Sequence, residues 1–344
     1  MSTPAASARR RSRRGAAHWA VPADPPPAAV DVLIPTAGRS AELAVTLAGL
    51  AAQDDPAFRV VISDQSHGTP GTDAPAVQAM IRVLGAQGRA VQVHRHLPRR
   101  GMAEQRQFLL DQASAPRVLF LDDDVWLEPG ALQRLHEALS EQRCGLVGYA
   151  VQGLSYLDDD RPEERHAFSG WHGRVEAETV RRGSPAFERW PLHNAANVAH
   201  QAAVLGLDDD ARLAYRIAWC GGCVLFERDA LLAVGGFEFW SRLPPQHAGE
   251  DVVAQWRVME RFGGAGILPS AAVHLEAPTT IVDRRVEARE VLLDPDGTSP
   301  GPSGIGTQEK GSSHERQAQS DPDPEVPGRH RLPREQGRHH RIRA

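Results

Sequence analysis

The 344-residue chain predicts an α/β fold, a mostly parallel central sheet with helices on both faces, flanked by a disordered tail at each end. Three observations carry this prediction. Between residue 30 and about residue 150, apolar runs of strand length alternate with stretches of helical periodicity. The run Val118, Leu119, Phe120, Leu121 shows no alternation of apolar and polar residues, as expected of a strand covered on both faces. The composition of residues 1–28 and 286–344, rich in Ala, Arg, Ser and Pro at one end and in Pro, Gly, Ser, His and Arg at the other, cannot bury enough apolar surface to order the backbone.

Val30–Pro35 reads as the first strand, closed by Pro35 and Gly38. Ser40 is placed to cap a helix on which Leu43, Leu47 and Leu50 recur at helical spacing. Arg59–Asp64 is a second buried strand ending in an acid, Val77, Met80, Ile81 and Leu84 mark a second helix, Ala90–His94 is a third strand and Met102–Ala113 a third helix. After the acids Asp122, Asp123 and Asp124, Pro129 opens a helix carrying Leu132, Leu135 and Leu139, and Gly145–Val151 returns as a strand. Residues 152–216 have few clean periods and read as an irregular insertion. Its Trp171, Trp190, His193, Asn194, Asn197 and His200 suit a polar pocket, but scattered aromatics more often anchor a long loop to the body, and that reading is preferred. Ile217–Phe226 reads as a glycine-broken strand in which Gly221 and Gly222 allow close backbone approach by a ligand. There follow a short helix Arg228–Val234, the turn Gly235-Gly236-Phe237, a helix opened by Gly249-Glu250-Asp251 and stopped at Gly263-Gly264, and a strand Ala271–Leu275 containing His274.

Composition excludes several function classes. The formal net charge is -5, and because Arg9, Arg10, Arg11, Arg13 and Arg14 make the start basic, the middle is more acidic than the total. An acidic body is a poor partner for nucleic acid, and none is expected. The N-terminal arginines serve solubility on the plain reading and also suit weak peripheral contact with an anionic membrane. The only lysine is Lys310, in the polar tail, so chemistry that needs a packed lysine, such as a phosphate-loop ATPase or a pyridoxal Schiff base, has no residue to use. Arginine remains available for phosphate. Three cysteines, Cys144, Cys220 and Cys223, fit a reduced compartment. No apolar run approaches the length of a membrane span, and Gly15–Pro22 is too short and interrupted for the core of an export signal, so a cytoplasmic protein is expected. The first strand is followed by Thr36-Ala37-Gly38-Arg39, without the Gly-x-Gly-x-x-Gly of dinucleotide-binding folds.

The acids at 122–124 are the strongest candidate site. A hidden strand delivers three adjacent carboxylates to the carboxyl edge of the sheet, where ligands of open α/β sheets bind, and a divalent cation is the usual way to offset their repulsion. The triplets Asp158–Asp160 and Asp208–Asp210 follow no buried run and read as loop or helix-start acids.

Taken in order, these pieces resemble a family 2 glycosyltransferase of the GT-A type, an inverting enzyme, over Val30 to Pro278. The features that carry the resemblance are the opening strand ending in Val32-Leu33-Ile34-Pro35-Thr36, an acid after the second strand, an Asp-x-Asp after a hydrophobic strand, a Gly-rich strand, a Gly-Gly-Phe turn, a Glu-Asp pair and a later His. The resemblance implies a nucleotide-sugar-binding half at 29–150 and an acceptor-binding and catalytic half at 151–285. It implies a nucleotide-diphospho-sugar donor held by Thr36, Asp64 (reading the base), Arg106, Asp122, Asp123 and Gly222. It also implies Mn2+ or Mg2+ on the diphosphate, held by Asp122 and Asp124 and completed by His274. Asp251 is then the catalytic base, with Glu250 in support, and the acceptor is a hydroxyl of a saccharide, a lipid-linked molecule or a small molecule. Favourable charge at a helix N-terminus accounts for Glu250-Asp251 equally well in isolation.

Three rivals fit parts of the chain. Leu121–Val125 suits the first motif of a haloacid-dehalogenase-like phosphohydrolase, with Asp122 as nucleophile and Asp124 as acid and base, but about 90 ordered residues precede it and no lysine serves the phosphate. Trp219-Cys220-Gly221-Gly222-Cys223 resembles a thioredoxin-type pair, except that strand rather than helix follows. The third is a non-catalytic sugar- or nucleotide-binding module.

Overall fold

In β1 (Val30–Thr36) every residue is buried, Val30, Val32 and Ile34 in one core and Leu33 in the other. The same period-two division appears in β4 (Arg117–Leu121), where Leu119 and Leu121 face the first core and Val118 and Phe120 the second. A strand that is apolar on both sides needs cover on both, and the helices divide accordingly. On the first side lie Leu43, Leu47 and Leu50 of α1 (Ser40–Ala51), Val77 and Leu84 of α2 (Pro75–Ala86), and Leu132, Leu135 and Leu139 of α4 (Ala131–Gln142). On the second lie Leu109 and Leu110 of α3 (Met102–Asp111), Leu231 of α6 (Arg228–Ala233) and Val253, Trp256 and Met259 of α7 (Glu250–Phe262). Each fully buried Leu or Val contributes about 1.5–3 kcal/mol.

The structure is a computed structural model and describes residues 19–20, 26–279 and 285–293. Most of both expected tails, with the N-terminal arginines and Lys310, lies outside the described residues. The main sheet adds β2 (Phe58–Asp64), β3 (Val91–Arg95), β6 (Leu146–Gly148), β8 (Leu213–Tyr215), β9 (Cys223–Glu227) and β10 (Gly264–Leu268). Its order is β3-β2-β1-β4-β9-β6-β10-β8, and all strands but β8 and β9 run in one direction. A second, three-stranded sheet, β5 (Val125–Leu127), β11 (Ala272–His274) and β7 (Gln152–Gly153), lies beyond the end of β4. Its antiparallel register sets His274 opposite Val125, the residue after the acid triplet. No helix of the described residues is long and apolar enough to cross a membrane.

Several elements differ from the sequence expectation. Ser40 does not cap α1: Arg39 is the capping position, no side chain caps the helix, and the Leu43 amide already bonds the Arg39 carbonyl at 3.0 Å. The strand expected at Ile217–Phe226 begins only at Cys223. The Gln255 side chain takes both backbone groups of Cys220, accepting from its amide and donating to its carbonyl at 2.7 Å each, while Trp256 Nε1 donates to Ala218 O, so this segment pairs with side chains of α7 rather than with a strand. The strand expected at Gly145–Val151 is three residues long, and β10 was not foreseen because Gly263 and Gly264 read only as a helix stop. The 152–216 stretch is largely irregular yet contains α5 (Asn197–Leu205) and β8. Its polar and aromatic residues anchor it: Asn197 donates to Glu164 and to Pro191 O, His193 meets Tyr215 Oη at 2.8 Å, His200 meets Leu157 O, and Trp190 packs on Trp219 and Phe187. A further helix, α8 (Ala288–Leu292), lies inside the stretch expected to be tail. Its Ala288 and Leu292 are buried in the second core, and its start is tied to Ala248 by backbone bonds.

Candidate active site

The backbone that carries the acids is fixed on three sides. The Asp122 amide donates to Gly222 O, the Asp123 carbonyl accepts from Thr46 Oγ1, and the Asp124 carbonyl accepts from the Leu275 amide, all within 2.9 Å. The three side chains then part into two clusters.

Asp123 and Asp124 turn inward. Thr36 Oγ1 donates to Asp123 Oδ2 at 2.7 Å, and Arg39 Nη1 bridges Asp123 Oδ1 at 3.1 Å and Asp124 Oδ2 at 2.7 Å. The other arm of Arg39 donates to Pro278 O. His274 Nε2 stands 3.4 Å from Asp124 Oδ2, and its Nδ1 accepts the Glu276 amide, which leaves Nε2 as the donor toward the acid. Burial pushes the Asp123 carboxyl up to about 6 against the pull of Thr36 and Arg39. Burial acts on Asp124 in the same direction, but His274 and Arg39 outweigh it and hold this acid below the usual carboxylate value. The Asp124 contact in turn raises His274.

Asp122 turns the other way, partly exposed, and meets Arg106 Nη2 at 3.2 Å. Arg106 Nε donates to Glu250 Oε1 at 3.0 Å, so one buried guanidinium on α3 joins the end of β4 to the start of α7. Glu250 and Asp251 occupy the first turn of α7, entered through Gly249 at φ +75°, a conformation only glycine adopts without strain. Asp251 Oδ1 accepts the Val252 amide at 2.9 Å. Burial, with the charges of Glu250 and Asp122, pushes the half-buried Asp251 up to about 7, and Arg106 only partly offsets them. Those same acids keep Arg106 above its ordinary value despite its burial. Asp251 and Arg106 line a pocket with Gly222, Phe120, Val224, Phe226, Phe237 and Gln255. Gly222 is also left-handed, at φ +73°, and a Cβ there would press on Val151 and Val125.

Residues 31–211, just over half of the chain, match the family described as Glycosyl transferase family 2. The chain belongs to the family 2 glycosyl transferases. The matched stretch of this family 2 chain includes Thr36, Asp64, Arg106 and Asp122–Asp124 and ends before Gly222, Glu250, Asp251 and His274. Among solved structures, the mannosyltransferase PcManGT from Pyrobaculum calidifontis, in complex with GDP-Man and Mn2+, is 18% identical with a TM-score of 0.47 over 76% of this chain and 61% of that one. TarS of S. aureus is 14% identical with a TM-score of 0.45, over 71% of this chain and 36% of that one. Its 1-349 form in complex with UDP-GlcNAc is 13% identical with a TM-score of 0.44, over 73% and 60%. The chain therefore spans less than two thirds of the length of each of these proteins. No curated protein shows a significant sequence match.

The residues expected to act together in this family 2 chain are thus only partly brought together. Asp251, Glu250, Arg106, Asp122 and Gly222 share one neighbourhood. The trio expected to hold a divalent ion does not converge on one point: Asp124 and His274 are adjacent, but Asp122 faces Arg106, and Arg39 sits on the same Asp124 oxygen that His274 faces. Among the described residues no three His, Cys, Asp or Glu side chains converge in a metal-holding group. Asp64, expected to read a base, is fully enclosed. Its Oδ1 accepts the Ser66 amide, its Oδ2 accepts both the amide and the hydroxyl of Thr72, and Arg95 stands 3.5 Å away, so it shapes the loop 65–72 and offers no open oxygen. Burial raises this carboxyl, but those bonds hold it below the usual value. Thr36 likewise spends its hydroxyl on Asp123.

Sequence reasoning missed Arg39, one arginine among many, whose partners lie more than 80 residues away. It also missed His247. This buried side chain donates through Nδ1 to Pro244 O and accepts the Ala103 amide at Nε2, locking the start of α3, and with it Arg106, to the loop that leads into Glu250.

The rival chemistries lose their geometry. A phosphohydrolase would need Asp122 and Asp124 to face one phosphate, yet the two carboxylates turn to different arginines. Cys220 and Cys223 are buried, and burial pushes both thiols far above the range of a reactive thiolate.

Proposed function

We propose that this family 2 chain is an inverting glycosyltransferase that moves a sugar from a nucleotide-diphosphate donor to a hydroxyl acceptor, with Asp251 as the general base. The observation that supports it most is the pocket that unites Asp251, Arg106 and Gly222, with Asp122 joined to it through Arg106. A base that takes a proton from an alcohol near neutral pH works best with a pKa near the operating pH, and burial, helped by the charges of Glu250 and Asp122, supplies that shift.

In the proposed step the acceptor oxygen attacks the anomeric carbon from the face opposite the nucleotide. Its proton passes to Asp251, the bond from the anomeric carbon to the phosphate oxygen breaks, and the nucleoside diphosphate leaves with that electron pair. One displacement inverts the anomeric configuration. Arg106, charged throughout, keeps Asp122 and Glu250 in place around the reacting centre. Because the three expected metal ligands do not converge, no step here is routed through a metal ion.

The donor is identified by incubating the protein with a panel of nucleotide sugars and mixed hydroxyl acceptors and following release of nucleoside diphosphate and transfer of sugar. Transfer with inverted configuration by NMR, lost in Asp251→Asn, is the expected result. Transfer by Asp251→Asn at the wild-type rate defeats the assignment, and ligand binding without turnover favours the non-catalytic module.

A further inference from the structure

The disagreement between the expected metal site and the arrangement found has a definite cause. Asp123 and Asp124 are buried acids at the end of a central strand, and the cation that neutralises them is part of the chain: Arg39, mostly buried, with one nitrogen on both carboxylates and the other on Pro278 O. His274 Nε2, whose hydrogen faces Asp124 Oδ2 from 3.4 Å, is a second donor to that oxygen, and in this tautomer it has no lone pair to offer an ion. An ion bound to Asp124 Oδ2 at about 2.1 Å would lie under about 5 Å from Arg39 Nη1, too close for the two positive charges to share that oxygen without repulsion.

We propose that Arg39 is an internal counter-ion that competes with divalent cations for Asp123 and Asp124, so that the protein without substrate binds Mn2+ weakly and removal of the guanidinium uncovers a cation site. Cation binding at Asp123 and Asp124 is independent of whatever reaction the Asp251 pocket carries out. Arg39 sits on the turn between β1 and α1, whereas Pro278 follows β11, so the same guanidinium also fastens the segment after His274 to the donor-side edge of the sheet.

The test is Mn2+ titration of the full chain, followed by electron paramagnetic resonance of the free ion, with no nucleotide sugar or acceptor present. Arg39→Gln and Arg39→Met, which both drop the charge, are measured in parallel so that loss of fold in one, read by circular dichroism, leaves the other. At least a tenfold tighter site than in the wild type is expected in either variant, with Arg39→Lys staying weak. The gain should vanish when Asp124→Asn is added, which separates this site from adventitious binding elsewhere. Equal or weaker Mn2+ binding in the neutral variants, or a gain that survives Asp124→Asn, overturns the proposal. A failure of glycosyl transfer, by contrast, leaves this measurement untouched and counts only against the function proposed above.

Discussion

Two groups of acids flank the end of β4, and they differ in how far they are neutralised. On the side of β1, Asp123 and Asp124 face a guanidinium, an imidazole and a hydroxyl, which hold Asp124 below the usual carboxylate value while burial still lifts Asp123 to about 6. On the side of α7, Asp122, Glu250 and Asp251 crowd around Arg106 alone, and burial together with the excess negative charge pushes Asp251 up to about 7. Both groups are fed by the same three-residue turn. The contrast teaches that consecutive acids in a sequence need not act as one ligand set: the turn between β4 and β5 sends Asp122 to Arg106 and both Asp123 and Asp124 to Arg39, and what each carboxylate meets there sets its charge.

The comparison can be broken most severely on the side of α7. Asp251→Asn keeps size and hydrogen-bonding shape but cannot accept the proton, so transfer should fall by about 10²–10⁴-fold with the circular dichroism spectrum retained. Arg106→Gln attacks the single counter-ion of the crowded group. Its removal leaves buried Glu250 uncompensated, and urea unfolding should show a loss of about 3–5 kcal/mol.

A subtler sharpening uses pH. The folded protein holds the Asp251 proton more tightly than the unfolded chain does, so between the ordinary carboxylate value and about 7 the folded state binds more protons, and stability falls as pH rises through that window. Asp251→Asn escapes this penalty. Its melting temperature should exceed that of the wild type above neutrality, and the advantage should shrink as the pH approaches about 4. A variant that is less active and more stable is what the proposed role of Asp251 as a buried general base predicts. At the small end, Asp209→Asn, in an exposed triplet that follows no buried strand, should change stability by less than about 0.5 kcal/mol and leave transfer unaltered.

How much of this was legible in the sequence follows from the range of the interactions. The strand ending in acids, the helix opening with Glu250-Asp251 and the glycine at 222 are local signals, and each sits where its residue pattern places it. The helix α4 came two residues later than its Pro129 signal because Gly130, in the left-handed region, is the capping position. What was hidden depends on distant partners. The pairing of Gln255 with Cys220 removes six residues from a strand whose composition is β-like, and the register of β11 on β5 rather than any motif brings His274 to Asp124. Arg39 was illegible for the same reason, since nothing near it in sequence marks it as the partner of acids beyond residue 120. The division of the acid triplet between two sides could not be read from three identical letters.

The claim on which the rest depends is that Asp251 keeps its proton to near neutral pH. Carbon-13 NMR of carboxyl-labelled aspartate, with the Asp251→Asn spectrum subtracted to assign the resonance, measures this without knowledge of donor or acceptor. The account predicts a carboxyl that titrates near 7 and is absent from the variant; a missing resonance that titrates near 4, as an ordinary aspartate does, would contradict it.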